Sequence, residues 1–250
     1  MIELLVAASA FLSMLGAVFV GFKVHSKYCS SDTHSQTQET IGLISNMFVV
    51  VTSLVLSLML NSAKGTFETN NNNVHALASQ IILLDRTMRS LEPEAAEARG
   101  HLLAYIVASL KEPNIVEEDP EAAASLEAAG ASLRAIHVTD DQKLALWNDA
   151  RQLYRQVAQQ RWVVVDTSGG TIPTPMIVLL ILWLSAAFAG FGYRAPDNAI
   201  VRVSFLMAAL LISGGIYVIC DMDTPSSGLF RTSNFPFQRA LAHLQADSGR

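Results

Sequence analysis

Asp221 and Asp223 are the sharpest pair of chemistry-bearing side chains in this sequence, two carboxylates at the end of a long apolar run. Such a pair could ligate Ca²⁺ or pair with Arg231. A Ca²⁺ ion takes about six to eight oxygen ligands, so the two carboxylates alone make only a weak metal candidate. The six histidines (His25, His34, His75, His101, His137 and His243) are scattered, and no two share the i, i+4 spacing by which a helix holds zinc. Cys29 and Cys220 are the two cysteines, and neither neighbours a metal-spaced His, which excludes a disulfide scaffold and a Cys-rich zinc module. Phosphate-binding glycine loops, a nucleophile elbow and an EF-hand loop are all missing from the sequence. Glu94, Glu97, Glu117, Glu118, Asp119 and Glu121 form an acidic arm, for which a solvated helical face is the plainer reading beside a cation site. With no catalytic constellation, the chain is expected to be neither an enzyme nor the holder of a cofactor.

A different chemistry lies between Ile41 and Leu60. At about 100° per residue, Gly42, Asn46, Val50, Ser53, Ser57, Asn61 and Lys64 share one helix face. Small and hydroxyl or amide side chains on one stripe can pack helices closely in a membrane. They can also line a pore around an oligomer axis. In that case the hydroxyls and amides, the absence of a carboxylate, an apolar constriction at Val50 and Lys64 at one mouth would suit anions. Ser185, Ala186, Ala189 and Gly190, and later Ser213, Gly214 and Gly215, read as packing residues alone.

These residues must be positioned in a bilayer, because the composition fits no soluble domain. Hydrophobic residues make up 51% of the chain and charged ones 16%, and the mean hydropathy is +0.33. Soluble domains carry roughly 25% charged residues. The net charge of −5 excludes the basic face that nucleic-acid binding requires. Four apolar runs reach the ~20 residues that a membrane helix needs: 4–22, 41–60, 176–192 and 200–220. The first lacks a basic leader, and its Ala8-Ser9-Ala10 triplet comes too early for a cleavage site, so a retained helix is expected. Arg202, in the first turn of the fourth run, can snorkel to the headgroups. No run carries an ionisable residue at depth, which disfavours a pump or an ion-coupled transporter.

The region between the second and third runs is rich in Ala, Glu, Gln and Arg. Beyond the polar run Asn70 to Asn73, the residues Val74, Leu77, Ile81, Leu84, Met88 and Leu91 recur at spacings of three and four, which predicts an amphipathic helix. Glu92-Pro93-Glu94 ends it and opens a second, with Leu102, Leu103, Ile106 and Leu110 on its apolar side. Asp119-Pro120 opens a third. Thr139 and Gln142 form a capping-box pattern for a fourth, whose apolar side is Leu146, Ala150, Leu153, Val157 and Val164. No stretch alternates as a strand.

The expected fold is therefore an all-α integral membrane protein, four transmembrane helices in two hairpins with an inserted extramembrane helical domain. Residues 1–62 form the first hairpin, 63–172 the helical domain, 173–221 the second hairpin and 222–250 a C-terminal tail. Four spans put Cys29 and Cys220 on opposite membrane faces. Charges near the span ends give a margin of one residue for short loops in the cytoplasm, which leaves the side of the domain undetermined.

Four segments resemble a family of bacterial membrane proteins described as bestrophin-like. They are 54–59 with Ser62-Ala63-Lys64-Gly65-Thr66-Phe67; Leu84-Asp85-Arg86 with Glu92-Pro93-Glu94-Ala95 and Arg99; Phe191-Gly192-Tyr193-Arg194-Ala195-Pro196-Asp197-Asn198; and Asp221-Met222-Asp223-Thr224-Pro225 with Gly228, Arg231, Ser233 and Pro236. Ser57 and Glu92 stand where the family pattern has glycine. Bestrophins are pentameric anion channels with four membrane helices per subunit, so the resemblance implies a homo-oligomeric channel and a cytoplasmic helical domain. Their neck of paired prolines and stacked aromatics has no counterpart between Gly42 and Asn61. The leading expectation is a passive, anion-favouring ion channel of the bacterial cytoplasmic membrane, with the lipid bilayer, further copies of itself and small inorganic ions as partners. The alternative is a non-conducting scaffold or sensor that binds a protein through the acidic domain.

Overall fold

The structure is a computed structural model that describes residues 2–28, 34–111, 119–167, 169–224 and 233–248. Its elements are α1 (Ile2–Tyr28), α2 (His34–Arg89), α3 (Ala96–Lys111), α4 (Pro120–Ala135), α5 (Asp141–Asp166), α6 (Thr174–Arg194), α7 (Ala199–Asp223) and α8 (Phe235–Ser248), with no strand among the described residues. The protein is an all-α membrane protein. Four of its helices, α1, α2, α6 and α7, are long and apolar enough to cross a bilayer. Two compact units emerge, one of residues 1–65 with 170–223 and one of residues 66–169 with 224–250.

In the first unit, α1 and α6 approach to backbone contact, and glycine is what permits it. A Cβ on Gly21 would lie 2.4 Å from the Ala189 carbonyl oxygen, and one on Gly192 would lie 2.7 Å from that of Val18. Close approach of this kind drives helix association where lipid removes the hydrophobic incentive. The Ser13 and Ser185 hydroxyls share a 2.7 Å hydrogen bond across the same pair. Met14, Val18, Leu180, Leu184 and Phe188 complete the core with Met59 of α2 and Ile216 of α7. Gly21→Val is expected to force the helices apart and destabilise the unit by about 1–3 kcal/mol, the usual cost of overpacking. Gly65 has nothing near its missing Cβ, so Gly65→Ala should raise stability by about 0.5–1 kcal/mol. Heat denaturation of the two variants in detergent should move in opposite directions.

The second unit is built on the apolar faces. Val74, Leu77, Ile81, Leu84, Met88 and Leu91 are all buried, together with Leu102 and Ile106 of α3, Leu126 and Leu133 of α4, and Ala150, Val157 and Val164 of α5. Leu103, Leu110, Leu146 and Leu153 are partly buried against this core. A network of charge joins α2 to α3. Arg99 Nε donates to Asp85 Oδ1 at 2.8 Å, its Nη1 reaches Glu92, and Arg89 lies 3.4 Å from the other Asp85 oxygen. Burial works against the Arg99 cation, but the hydrogen bonds to Asp85 and Glu92 outweigh it and raise its pKa.

Three readings of the sequence are corrected here. The Asn70–Asn73 run starts no new helix, because α2 continues unbroken through it. Nothing in that stretch is a true breaker, and the Asn penalty is a fraction of a kcal/mol. Asn73 meets the end of α5 instead: its Nδ2 donates to Thr167 Oγ1, and Gln160 Nε2 donates to the Asn73 carbonyl, whereas the buried Asn70 amide has no partner among the described residues. The cap of α5 is Asp140, which accepts from the Gln142 N–H, rather than Thr139, since a carboxylate one residue on is the stronger acceptor. Within the expected tail, 235–248 is helical, and α8 buries Phe237, Ala240 and Leu244 in the core of the second unit.

Candidate pore face and carboxylate pair

The bilayer part of α2 has a packed face and an open one. Ser45, Thr52, Met59 and Ala63 are buried, following the spacing of seven and four that a straight seam requires. Ser45 sits on Gly190 of α6, where a Cβ would lie 2.0 Å from the serine hydroxyl. Asn46, Val50, Ser53, Ser57, Asn61 and Lys64 are all exposed. At about 100° per residue this stripe is centred roughly 140° from the packed seam, so it is not held between helices of one protomer. Ser53 donates to the Val49 carbonyl, within its own helix. The amides of Asn46 and Asn61 have no hydrogen-bond partner among the described residues. Gly42 departs from the stripe, because the Arg194 guanidinium lies directly over it and buries it.

Two hollows flank the stripe. A groove of about 500 Å³ opens beside Ser57, floored by Leu60, Leu211, Gly214 and Gly215. Gly214 and Gly215, read from the sequence as packing residues, are exposed, and a Cβ on either would meet nothing within 4 Å. A cavity of about 170 Å³ lies behind Ser53, and Thr52 turns into it a buried hydroxyl with no partner among the described residues.

Of the carboxylate pair, Asp223 is held by the protein's own donors. Asp223 Oδ1 accepts from the Thr171 N–H at 3.0 Å and the Thr171 hydroxyl at 2.8 Å, and Oδ2 accepts from the Ile172 N–H at 3.0 Å. Asp221 is fully buried. Asp223 thus ties the end of α7 to the strand of chain that leads into α6. Arg231, the alternative partner, lies outside the described residues, as do Cys29, Glu117 and Glu118. No group of three or more His, Cys, Asp or Glu among the described residues is placed to hold a metal ion. The acidic arm is largely engaged as well. Asp119 caps α4 through the Glu121 and Ala122 N–H groups, and Glu121 pairs with Lys111. Glu94 accepts from Lys143 at 2.7 Å, a hydrogen bond that lowers its pKa.

Arg202 does more than reach toward headgroups. Its Nε and Nη2 fork onto both oxygens of Asp197, at 2.7 and 2.9 Å, and this bond holds the Asp197 carboxyl below the usual carboxylate range. Asn198 Oδ1 caps α7 by accepting from the Val201 N–H. The loop between α6 and α7 is thereby closed by side chains drawn from its own Asp197-Asn198 pair.

Four helices fit to cross a bilayer, with a second helical unit interleaved in sequence, define a polytopic helical membrane protein. The chain belongs to the bestrophin-like domain family, whose model matches residues 10–237. It is similar in fold to crystal structures of a bacterial bestrophin homologue from Klebsiella pneumoniae. One point variant shares 11% identity at a TM-score of 0.64, covering 98% of this chain and 99% of that one. Another structure of the homologue shares 14% identity at a TM-score of 0.60, covering 96% and 98%. No curated protein matches the chain.

Proposed function

We propose that this chain is the subunit of a homo-oligomeric passive ion channel of the bacterial cytoplasmic membrane, with the open face of α2 lining the pore and anions favoured. The observation that carries the reading is the exposure of Asn46, Val50, Ser53, Ser57, Asn61 and Lys64 on one face of the protomer, with two amides unpartnered. An amide left in hydrocarbon costs several kcal/mol, so this face must meet water or another protein surface. A ring of subunits around an axis supplies both. Between Asn46 and Lys64 the face carries hydroxyl and amide donors, no carboxylate, and a cation at one end, a set that stabilises anions as they shed water, with Glu39 and Glu68 on the same face beyond either end. Membership in the bestrophin-like family points the same way. The scaffold alternative loses support from the acidic arm, since its described carboxylates are largely bonded within the domain.

The test is current through purified protein in planar bilayers. Lys64→Glu is expected to shift the reversal potential toward cations under a salt gradient. The shift should be larger near 0.1 M salt, where the screening length is about 10 Å, than near 1 M, where it is about 3 Å. A protein that passes no current in any condition overturns the reading.

A further inference from the structure

A cavity of about 400 Å³ opens in the second unit between α2 and α8, and the pore reading makes no use of it. Its walls follow from two helix periodicities. Helix α8 turns Phe237, Ala240 and Leu244 into the core, which leaves Phe235, Arg239 and His243, spaced by fours, along the cavity. Helix α2 buries Leu77, Ile81 and Leu84 and presents His75 and Arg86 from the neighbouring face. Two arginines and two histidines therefore share one hollow with Phe235 and Pro236, and no carboxylate among the described residues lines it.

That charge stands out from its surroundings. The chain is acidic overall, at −5. Elsewhere in the same unit most cations are engaged, Arg155 excepted: Arg89 and Arg99 on Asp85, Lys143 on Glu94, Lys111 on Glu121, Arg151 over Trp147 and Arg161 over Trp162. The Arg86 and Arg239 side chains have no ion-pair partner among the described residues. Two like charges facing one hollow repel, and an anion between them reverses the sign of the interaction. The planar fork of each guanidinium matches phosphate oxygens in particular. Phe235, 62% exposed, adds a bare aromatic face at the rim.

We infer that this cavity binds an organic phosphate, its phosphoryl oxygens between Arg86 and Arg239 and its apolar or aromatic body against Phe235 and Pro236. The volume lies within the range of about 300–1,000 Å³ common to small-molecule sites. A soluble nucleotide and an anionic lipid headgroup present the same chemistry.

The experiment is calorimetric titration of the full chain in detergent with ADP, with adenosine, and with mixed micelles carrying phosphatidic acid or phosphatidylcholine. Saturable binding of ADP, of phosphatidic acid or of both is expected, with adenosine and the net-neutral lipid at least tenfold weaker. ADP alone would identify a soluble ligand and phosphatidic acid alone a lipid. Arg86→Gln with Arg239→Gln should weaken the bound species more than tenfold. Phe235→Ala, which leaves every charge in place, should weaken it severalfold and serves if the charge variant fails to fold. Absence of saturable binding of ADP and of phosphatidic acid overturns the inference. So does adenosine binding as tightly as ADP, or affinity unchanged in the folded variants. The readout is binding, so its failure leaves the channel proposal standing.

Discussion

Val50→Trp is expected to abolish ion flux while leaving the oligomer intact. Val50 is 61% exposed on the protomer and lies one turn beyond Asn46 on the stripe, where it is the apolar member of a polar face. If that face surrounds an axis, one indole per subunit would meet at the same level and exclude the water that a permeating ion needs. A barrier raised by about 3 kcal/mol lowers flux roughly a hundredfold. Val50→Ser should act in the opposite sense, because it replaces an apolar ring by hydroxyls and favours wetting. Ser57 is the less decisive position. A Trp there has the open groove beside Gly214 and Gly215 to fold into, so flux could survive even with Ser57 at the pore. Flux assays in vesicles measure the first effect and native mass spectrometry in detergent measures assembly. Unchanged flux in Val50→Trp, with the oligomer preserved, would remove α2 from the pore.

The membrane helices were legible because hydrocarbon leaves little choice. A run of about twenty apolar residues without charge must be a helix that crosses, since each backbone group has to be satisfied within the segment. The amphipathic helices were legible for a similar reason, and Leu77, Ile81 and Leu84 are as deeply buried as their spacing requires. Two things stayed hidden. The continuity of α2 through Asn70–Asn73 brings Asn73 against Gln160 and Thr167 at the end of α5, a tertiary fact that local propensity does not carry. Asp221 and Asp223 looked like a ligand pair, but whether a carboxylate faces a cation or its own backbone turns on where residues 171–172 lie, fifty positions away. Helix α8 did leave a signal. Ser233 precedes Phe235 as a cap, Pro236 sits in the first turn, and Phe237, Ala240 and Leu244 keep a helical spacing. The groove along its other face became visible only once α8 was paired with α2.

Arg99→Met should destabilise the second unit by about 3–5 kcal/mol, the cost of leaving one member of a buried ion pair uncompensated. Asp85 is only 4% exposed, and Arg99 supplies its shorter contact at 2.8 Å. Arg89 remains nearby at 3.4 Å, but its side chain is 32% exposed and cannot replace the buried guanidinium, so the loss should fall toward the lower end of the range. Methionine keeps much of the aliphatic stem that packs beneath the charge, which confines the change to electrostatics. For a chain of this size, about 3 kcal/mol corresponds to a fall of roughly 6–12 °C in the midpoint of heat denaturation. The double variant Asp85→Leu/Arg99→Met separates the cost of an orphaned carboxylate from the net worth of the pair. Removing both charges lifts the desolvation penalty along with the attraction, so the double variant should recover most of the lost stability. If it is as unstable as Arg99→Met alone, Arg99 contributes through shape and its ion pair with Glu92 rather than through its attraction to Asp85. A single variant with the wild-type midpoint would mean that Asp85 meets water in the working protein, and that the buried network does not hold α2 to α3.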